Sequence, residues 1–386
     1  MRIPVVNFEP ILAHTEVEWR ENLRELFTRL HFILGPMGAR FEAAFARLTG
    51  SADAVAVGSG TAAIELCLRD AGITSPKQEV ITSALTAPFT GIGVVSAGCR
   101  IRFADVDAET LLLDPEDVAR RASRRTAAVV PVHLYGNPCD LDKFRGLARD
   151  LGAVLVQDAC QAHGARWKGR PLTSYGPYAA YSFYPTKNLG ALGDGGAVAV
   201  RGAAAAKRLR SLRDGGRRGG QVSYVKGINS RLDEMQACYL LAFAGKLAEW
   251  NAQRALLASV YDEMLAGLPG VERVKTGPES VHHLYVIRAK RREELRQHLA
   301  SQGIGTGVHY PVPLHVMPAF REAGLRRGEL PNAEKASREV VSLPLWPYMP
   351  ESAAREVADR IRAWAAGVAG RRTFAGGVSG ARTGRR

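Results

Sequence analysis

The sequence predicts an α/β protein, with a large domain built around a seven-stranded, mostly parallel sheet and a smaller C-terminal α+β domain. Two patterns carry that prediction. Between residues 54 and 200, seven short β-branched or aromatic runs alternate with segments whose apolar residues recur at helical spacing, as in βα units feeding a parallel sheet. After about residue 231 a long helical run takes over, LDEMQACYLLAFAGKLAEWNAQRALLASVYDEMLAGL. A chain of 386 residues is also too long for one small core, so two or three domains are expected.

In order, the strand candidates are AVAVG (54 to 58), EVITS (79 to 83), RIRFADV (100 to 106), AAVVPVHL (127 to 134), AVLVQDA (153 to 159), YAAYSFY (178 to 184) and GAVAV (196 to 200). Between them, TAAIELCLRDA and DLDKFRGLARDLG read as amphipathic helices. In the second domain HHLYVIRAK reads as a strand and RREELRQHLASQG as a helix, while the two prolines of VHYPVPLH (308 to 315) mark a loop. The expected division is residues 1–250 for the large domain with an N-terminal arm and 251–370 for the small domain. Residues 371–386 are expected to form a disordered basic tail.

Apolar residues at 46% and charged residues at 23% are those of an ordinary globular protein. No run approaches the roughly 18 apolar residues of a membrane span, and MRIPVVNFEP lacks the apolar segment of a signal peptide. A cytoplasmic protein with no membrane partner is expected. The five cysteines are scattered without CxxC or His/Cys spacing, so neither a disulfide framework nor a metal site is expected. The net charge is +14, but five arginines fall in the last seventeen residues and the rest of the excess is spread out. Nucleic acid is therefore not an expected partner, whereas an anionic small substrate would use a positive field equally well.

Three stretches carry candidate chemistry. GSGTAAIELCL (58 to 68) places a glycine-rich turn between a strand and a helix, where free N–H groups and the helix dipole can bind phosphate; an ordinary strand-to-helix turn is the other reading. In VQDACQAHGA (156 to 165), Asp158 ends an apolar strand, where a buried carboxylate needs a cationic or hydrogen-bonding partner; a cap or a salt bridge would also serve. YSFYPTKNLGALGDGG (181 to 196) sets Lys187 among aromatic and small neighbours, and such surroundings lower an amine's pKa and favour its nucleophilic form. Alone it also reads as a surface lysine in a turn. Together the three supply a phosphate cradle, an acid and a lysine, the set that pyridoxal phosphate requires.

SFYPTKNLGALGDGG, QDACQAHGA, GSGTAAIEL and GINSRLDEMQA (227 to 237) resemble, in that family's order and over about residues 5 to 368, the DegT/DnrJ/EryC1/StrS sugar aminotransferases. The resemblance implies the aspartate aminotransferase-like fold (fold type I) and pyridoxal 5'-phosphate as cofactor. It implies that Lys187 forms the internal aldimine and moves protons, that Asp158 pairs with the pyridinium nitrogen, and that Gln161 lies near the ring and its phenolic oxygen. Gly60, Thr61 and Ser182 would hold the phosphate. Asn229 would reach the phosphate of the neighbouring subunit's cofactor, making the active unit a homodimer with shared sites, and Arg231 would have a structural or interface role. Many relatives carry a ring-stacking aromatic at the position of Ala87; here either Phe89 takes over the stacking from two residues away or something smaller covers the ring face. Ala62 stands where relatives often have aspartate. His163, His309, Tyr310 and His315 are candidate substrate contacts. Arg217 and Arg218, in DGGRRGG, are weighed as a lure for a nucleotide diphosphate against a solvated loop.

The expected reaction converts a keto group on a nucleotide-activated (deoxy)sugar to an amine, with an amino acid such as glutamate as donor and pyridoxamine 5'-phosphate between the half reactions. It would serve amino-sugar or antibiotic biosynthesis. The rivals are amination of a keto-cyclitol, an aromatising aminodehydroquinate-type enzyme, and a cofactor-binding regulator. The regulator is disfavoured because no N-terminal segment is available for a DNA-binding module, and Lys187 counts against relatives that remove a hydroxyl using histidine there.

Overall fold

The computed structural model describes residues 2–376, with side chains to residue 367. All seven expected runs form one sheet: β1 (Asp53–Val57), β2 (Glu79–Ser83), β3 (Arg100–Ala104), β4 (Thr126–Val130), β5 (Val154–Asp158), β6 (Tyr178–Ser182) and β7 (Gly196–Val200), in the order β1-β7-β6-β5-β4-β2-β3. Only β7 runs against the rest. Helices cover both faces, so most strand positions are buried and the strands read as continuous apolar runs rather than alternating ones.

The strands stop where the backbone finds other partners. AAVVPVHL ends as a strand at Val130 because Pro131 has no N–H for the ladder. RIRFADV ends at Ala104 because Asp105 turns away: its N–H bonds Asp117, and its carboxylate accepts the N–H groups of Asn332 and Ala333 at the start of helix Pro331–Glu339. That buried carboxylate ties the sheet to a segment more than two hundred residues later.

The two expected helices form as Gly60–Asp70 and Leu141–Leu151; the second is capped by the Asp140 side chain on Lys143 N–H and stopped by Gly152 at φ 63°. The long helical run splits at Gly245 and Lys246 into Glu234–Ala244 and Leu247–Met264. The latter helix serves two cores. Leu247 and Trp250 pack with the large sheet, whereas Leu257, Val260 and Tyr261 pack with the C-terminal elements. Those elements are a three-stranded antiparallel sheet of β8 (Val271–Arg273), β9 (Tyr285–Ala289) and β10 (Val340–Leu343), with helices Arg292–Ser301 and Glu351–Gly376.

The N-terminal arm crosses to this second core. Ile3 bridges to Ile304 and is buried there, and Arg2 pairs with Glu356. At the other end, residues 371–376 continue the last helix rather than belonging to the expected disordered tail, and residues 377–386 lie outside the described residues. Among the described residues no helix is long and apolar enough to cross a membrane.

Candidate active site

A cavity of about 880 Å³ opens at the carboxyl ends of the parallel strands, where this class of sheet places its ligands. The sheet itself supplies one wall. Asp158 is the last residue of β5 and Ser182 the last of β6, and Ser59 to Thr61 follow β1. Lys187 sits in the tight turn after β6, closed by Lys187 N–H to Tyr184 O at 2.9 Å and Ala191 N–H to Phe183 O at 2.7 Å. Asp158, Gln161, Ser182, Lys187, Gly60 and Thr61 all line this one cavity.

Asp158 is 3% exposed, and no cation pairs with it among the described residues. It accepts Thr90 Oγ1–H at Oδ2 (2.7 Å) and Cys160 N–H at Oδ1 (3.1 Å), and Thr90 in turn lies 3.1 Å from Thr86 Oγ1. A buried carboxylate with only neutral donors is a receptor for a positive group. Burial lowers the Lys187 pKa, against the opposing pull of Cys160 and Asp158, which makes the neutral amine more accessible. Gln161 is fixed at both ends: Oε1 accepts Tyr135 N–H at 2.7 Å and Nε2 donates to Tyr310 OH at 3.1 Å.

The phosphate cradle rests on a close approach. A Cβ on Gly60 would lie 2.7 Å from Ser182 Cβ and 2.8 Å from Cys160 Sγ, so only glycine fits. Gly60 begins the eleven-residue helix Gly60–Asp70, whose N-cap Ser59 accepts Ala62 N–H at 3.1 Å. The first N–H groups of that helix have no intrahelical acceptor, as at any helix start. On the other flank, a Cβ on Gly196 would lie 2.5 Å from Ser59 O, which is why the GDGG turn must end in glycine.

The opposite wall comes from distant segments: Val5 and Val6 of the N-terminal arm, His283 and Leu284 before β9, His309 and Tyr310, and Leu345 after β10. His309 Nδ1 lies 2.8 Å from Ser342 Oγ, and burial together with the nearby Lys187 charge pushes its pKa down to about 4. Tyr135 OH donates to His309 O at 2.5 Å. Phe89 and Ala87 both reach the cavity, with Phe89 61% exposed at its rim.

Two of the candidate contacts lie off the cavity. His163 does not line the cavity: it is fully buried, its ring packs against Phe45, Tyr181 and Phe183, and neither ring nitrogen has a hydrogen-bond partner among the described residues. Burial and the Lys187 charge push its pKa down to about 3. His315 is also buried and off the cavity, with Nε2 3.1 Å from Glu334 Oε1.

Asn229 is exposed and lines a separate surface pocket of about 550 Å³ that shares Ser59 and Asp194 with the main cavity and includes Arg231. Arg217 bonds Asp214, and Arg218 lies 5.3 Å over the Tyr224 ring; both border a further groove away from the cavity. Sequence reasoning missed Thr90, Tyr135, His283 and the valines of the arm. Only Thr90 had a local signal, two threonines four apart opening a helix, and its partner is 68 residues away.

A Cβ-intolerant cradle, a buried carboxylate lacking a cation and a lysine of lowered pKa on the same cavity fit pyridoxal phosphate at its phosphate, ring nitrogen and aldehyde respectively. Fold and site together define a fold-type-I pyridoxal-phosphate enzyme. A profile of the DegT/DnrJ/EryC1/StrS aminotransferase family matches residues 14–362. The chain belongs to that family and is a pyridoxal-phosphate-dependent aminotransferase.

A dTDP-3-amino-3,4,6-trideoxy-alpha-D-glucose transaminase of Streptomyces venezuelae is 41% identical over 366 residues, covering 94% of this chain and 96% of the relative. The crystal structure of S. venezuelae DesV in complex with a ketimine intermediate matches with a TM-score of 0.91 at 41% identity, over 94% of this chain and 98% of that one. NtdA of Bacillus subtilis with bound PMP matches at 0.86 and 26% identity, over 94% and 85%.

Proposed function

We propose that this aminotransferase converts the keto group of a nucleotide-activated deoxysugar to an amine, with an amino acid such as glutamate as donor. The observation that carries the reading is the cavity: about 880 Å³, within the range of small-molecule sites. It has the lysine and carboxylate on the sheet side, and opposite them an apolar patch of Val5, Val6, Leu284 and Leu345 next to His283, His309 and Tyr310. An apolar patch suits the part of a sugar that has lost hydroxyls, since it offers them no partner and has no polar group of its own to leave unpaired. The S. venezuelae relative, by its name, makes a 3-amino-3,4,6-trideoxy sugar on dTDP, which supports dTDP as carrier and carbon 3 as the aminated position.

When bound, pyridoxal phosphate supplies an aldehyde that exchanges amines and a ring that holds the electron pair left by loss of a proton. The protein's own groups do the rest. In each half reaction Lys187 Nζ would take a proton from one reacting carbon and deliver it to the other, so that none is left on the amine. Asp158 keeps a negative charge where a protonated ring nitrogen would lie, and Thr90 fixes one of its oxygens. Gly60, Thr61 and Ser182 hold the phosphate end, and Gln161 holds its orientation through Tyr135 and Tyr310.

The partner we propose is a second copy of the chain, with Asn229 serving the neighbour's site. Supporting this, Asn229 lies outside its own protomer's cavity, and its pocket borders the exposed apolar residues Phe32, Ile33 and Leu34, held by Glu234 N–H to Phe32 O. Apolar surface of this kind marks interaction sites. Placement in the cytoplasm belongs to the same proposal.

The test loads the enzyme with pyridoxamine phosphate and offers dTDP- and UDP-linked 3-keto and 4-keto sugars and keto-cyclitols, while following the cofactor absorbance. Turnover with a dTDP-linked 3-keto deoxysugar is expected. Turnover with a keto-cyclitol alone would overturn the reading.

A further inference from the structure

His283 lines the same cavity as Lys187 and is 5% exposed. Its Nδ1 lies 3.1 Å from Asn188 Oδ1, on the residue that directly follows Lys187. Which nitrogen of an imidazole carries the proton is normally an assignment rather than an observation. Here two backbone carbonyls decide it. Val281 O can only accept, so the Asn188 atom 2.8 Å from it is the amide nitrogen. His163 O can only accept, so the Asn251 atom 2.9 Å from it is likewise nitrogen, which turns Asn251 Oδ1 toward Asn188 Nδ2 at 2.8 Å. Both Asn188 N–H bonds are then used, and Asn188 Oδ1 is left to face the imidazole as an acceptor. His283 Nδ1 must therefore be the protonated nitrogen, and Nε2 keeps its lone pair, with no hydrogen-bond partner among the described residues.

His309, the other histidine in the cavity, has no such constraint. Its Nδ1 meets the Ser342 hydroxyl, which can donate or accept. Burial, and then the charge on Lys187, hold the His283 pKa well below the usual histidine range, which favours the neutral ring.

We propose that His283 is a positioning residue whose unprotonated Nε2 accepts a hydrogen bond from the Lys187 amine and holds that amine toward the reacting carbon. The inference rests on the reading that Lys187 is the proton-transferring group. Loss of turnover in Lys187→Ala tests that reading separately.

The experiment compares His283→Asn with His283→Gln. The asparagine amide can stand in for Nδ1 and keep the Asn188 bond while offering nothing at the Nε2 position; the glutamine amide reaches the Nε2 position and gives up the Asn188 bond. In single-turnover absorbance measurements, His283→Asn should slow both half reactions by about 100-fold, while His283→Gln should stay within about 10-fold, the span expected for a proton-transfer partner. Equal losses, equal retention or the reverse order would mean that the Asn188 bond or bulk packing is what matters, and would overturn the proposal. Slowing of the keto-sugar half reaction alone would assign Nε2 to a sugar hydroxyl and would also overturn it. Independently of turnover and of any variant's folding, ¹⁵N spectra of the histidine-labelled, cofactor-free protein should show His283 protonated at Nδ1. Protonation at Nε2 would overturn the proposal too.

Discussion

The two walls of the cavity are built in different ways. The sheet wall holds Asp158, Ser182 and the Lys187 turn within thirty residues of one another, at the ends of adjacent parallel strands. Its positions are set by the strand ladder, so each side chain is held by the most rigid part of the core. The opposite wall gathers Val5, Val6, His283, His309, Tyr310 and Leu345 from the arm, from loops of the second core and from strand ends, joined by a few long-range bonds such as Gly305 N–H to Ile3 O. On the function proposed above, the reacting groups sit on the wall the ladder fixes and substrate shape is set by the wall that can vary, with His283 reaching from that wall to Lys187.

If that division holds, the largest losses come from the sheet wall. Lys187→Ala should slow both half reactions by about 10⁴-fold, as removal of a proton-transfer group does at the upper end, while the thermal midpoint stays near that of the parent. Stopped-flow absorbance of each half reaction checks this, and a variant keeping a tenth of the rate would break the comparison. Asp158→Asn should cost about 10²- to 10³-fold by the same readout, because an amide cannot stabilise a positive ring nitrogen. The cofactor-free variant should be as stable as the parent or more so, since a buried carboxylate met only by Thr90 and Cys160 donors is replaced by a neutral group.

Charge coupling gives a subtler version of the same test. A lowered Lys187 pKa means that the neutral amine predominates from a lower pH than for a free lysine, so the rate at which cofactor-free enzyme captures pyridoxal phosphate should rise with pH and level off below the ordinary lysine range. Asp158 pulls that pKa upward. In Asp158→Asn the plateau should begin at a still lower pH; a plateau that moved upward would show that Asp158 does not act on Lys187.

The same division governs what the sequence revealed. All seven strands were legible because a sheet buried on both faces demands uninterrupted apolar runs, and GSGT, QDAC and the Lys187 turn were legible because their partners lie nearby in sequence or within adjacent strands. The opposite wall left no such mark. Nothing in HHLYVIRAK says that Asn188 orients His283, and nothing in PVV says that Val5 and Val6 close the cavity, because both facts depend on pairings across most of the chain. Glu234 is similar: inside the GINSRLDE motif it is a buried acceptor for the N–H groups of Gly35, Met37 and Gly38, a role visible only after folding.

On the variable wall, His283 apart, effects should be smaller and confined to one substrate. Val5→Ala combined with Val6→Ala removes apolar surface from the sugar side and should raise the KM for the keto sugar by about 10-fold, the scale of a few methyl groups in a pocket. The donor half reaction should be unchanged. Equal effects on both half reactions would mean that the arm positions the chemistry as well as the sugar.

The smallest effect is expected at His163, the histidine nearest the QDACQ motif and yet outside the cavity. Its ring lies among Phe45, Tyr181 and Phe183 with neither nitrogen hydrogen-bonded among the described residues, and an unsatisfied buried polar group is costly, whereas an apolar replacement of similar shape is often neutral or stabilising. His163→Phe should therefore leave both half reactions within about 2-fold and raise stability by about 1 kcal/mol in denaturant titration. A thermal midpoint that falls while turnover holds would show that the larger ring overfills the pocket, which packing of this density makes costly. A keto-sugar KM that rises 10-fold in a stable variant would place His163 at the substrate after all, and would move part of the specificity onto the sheet wall.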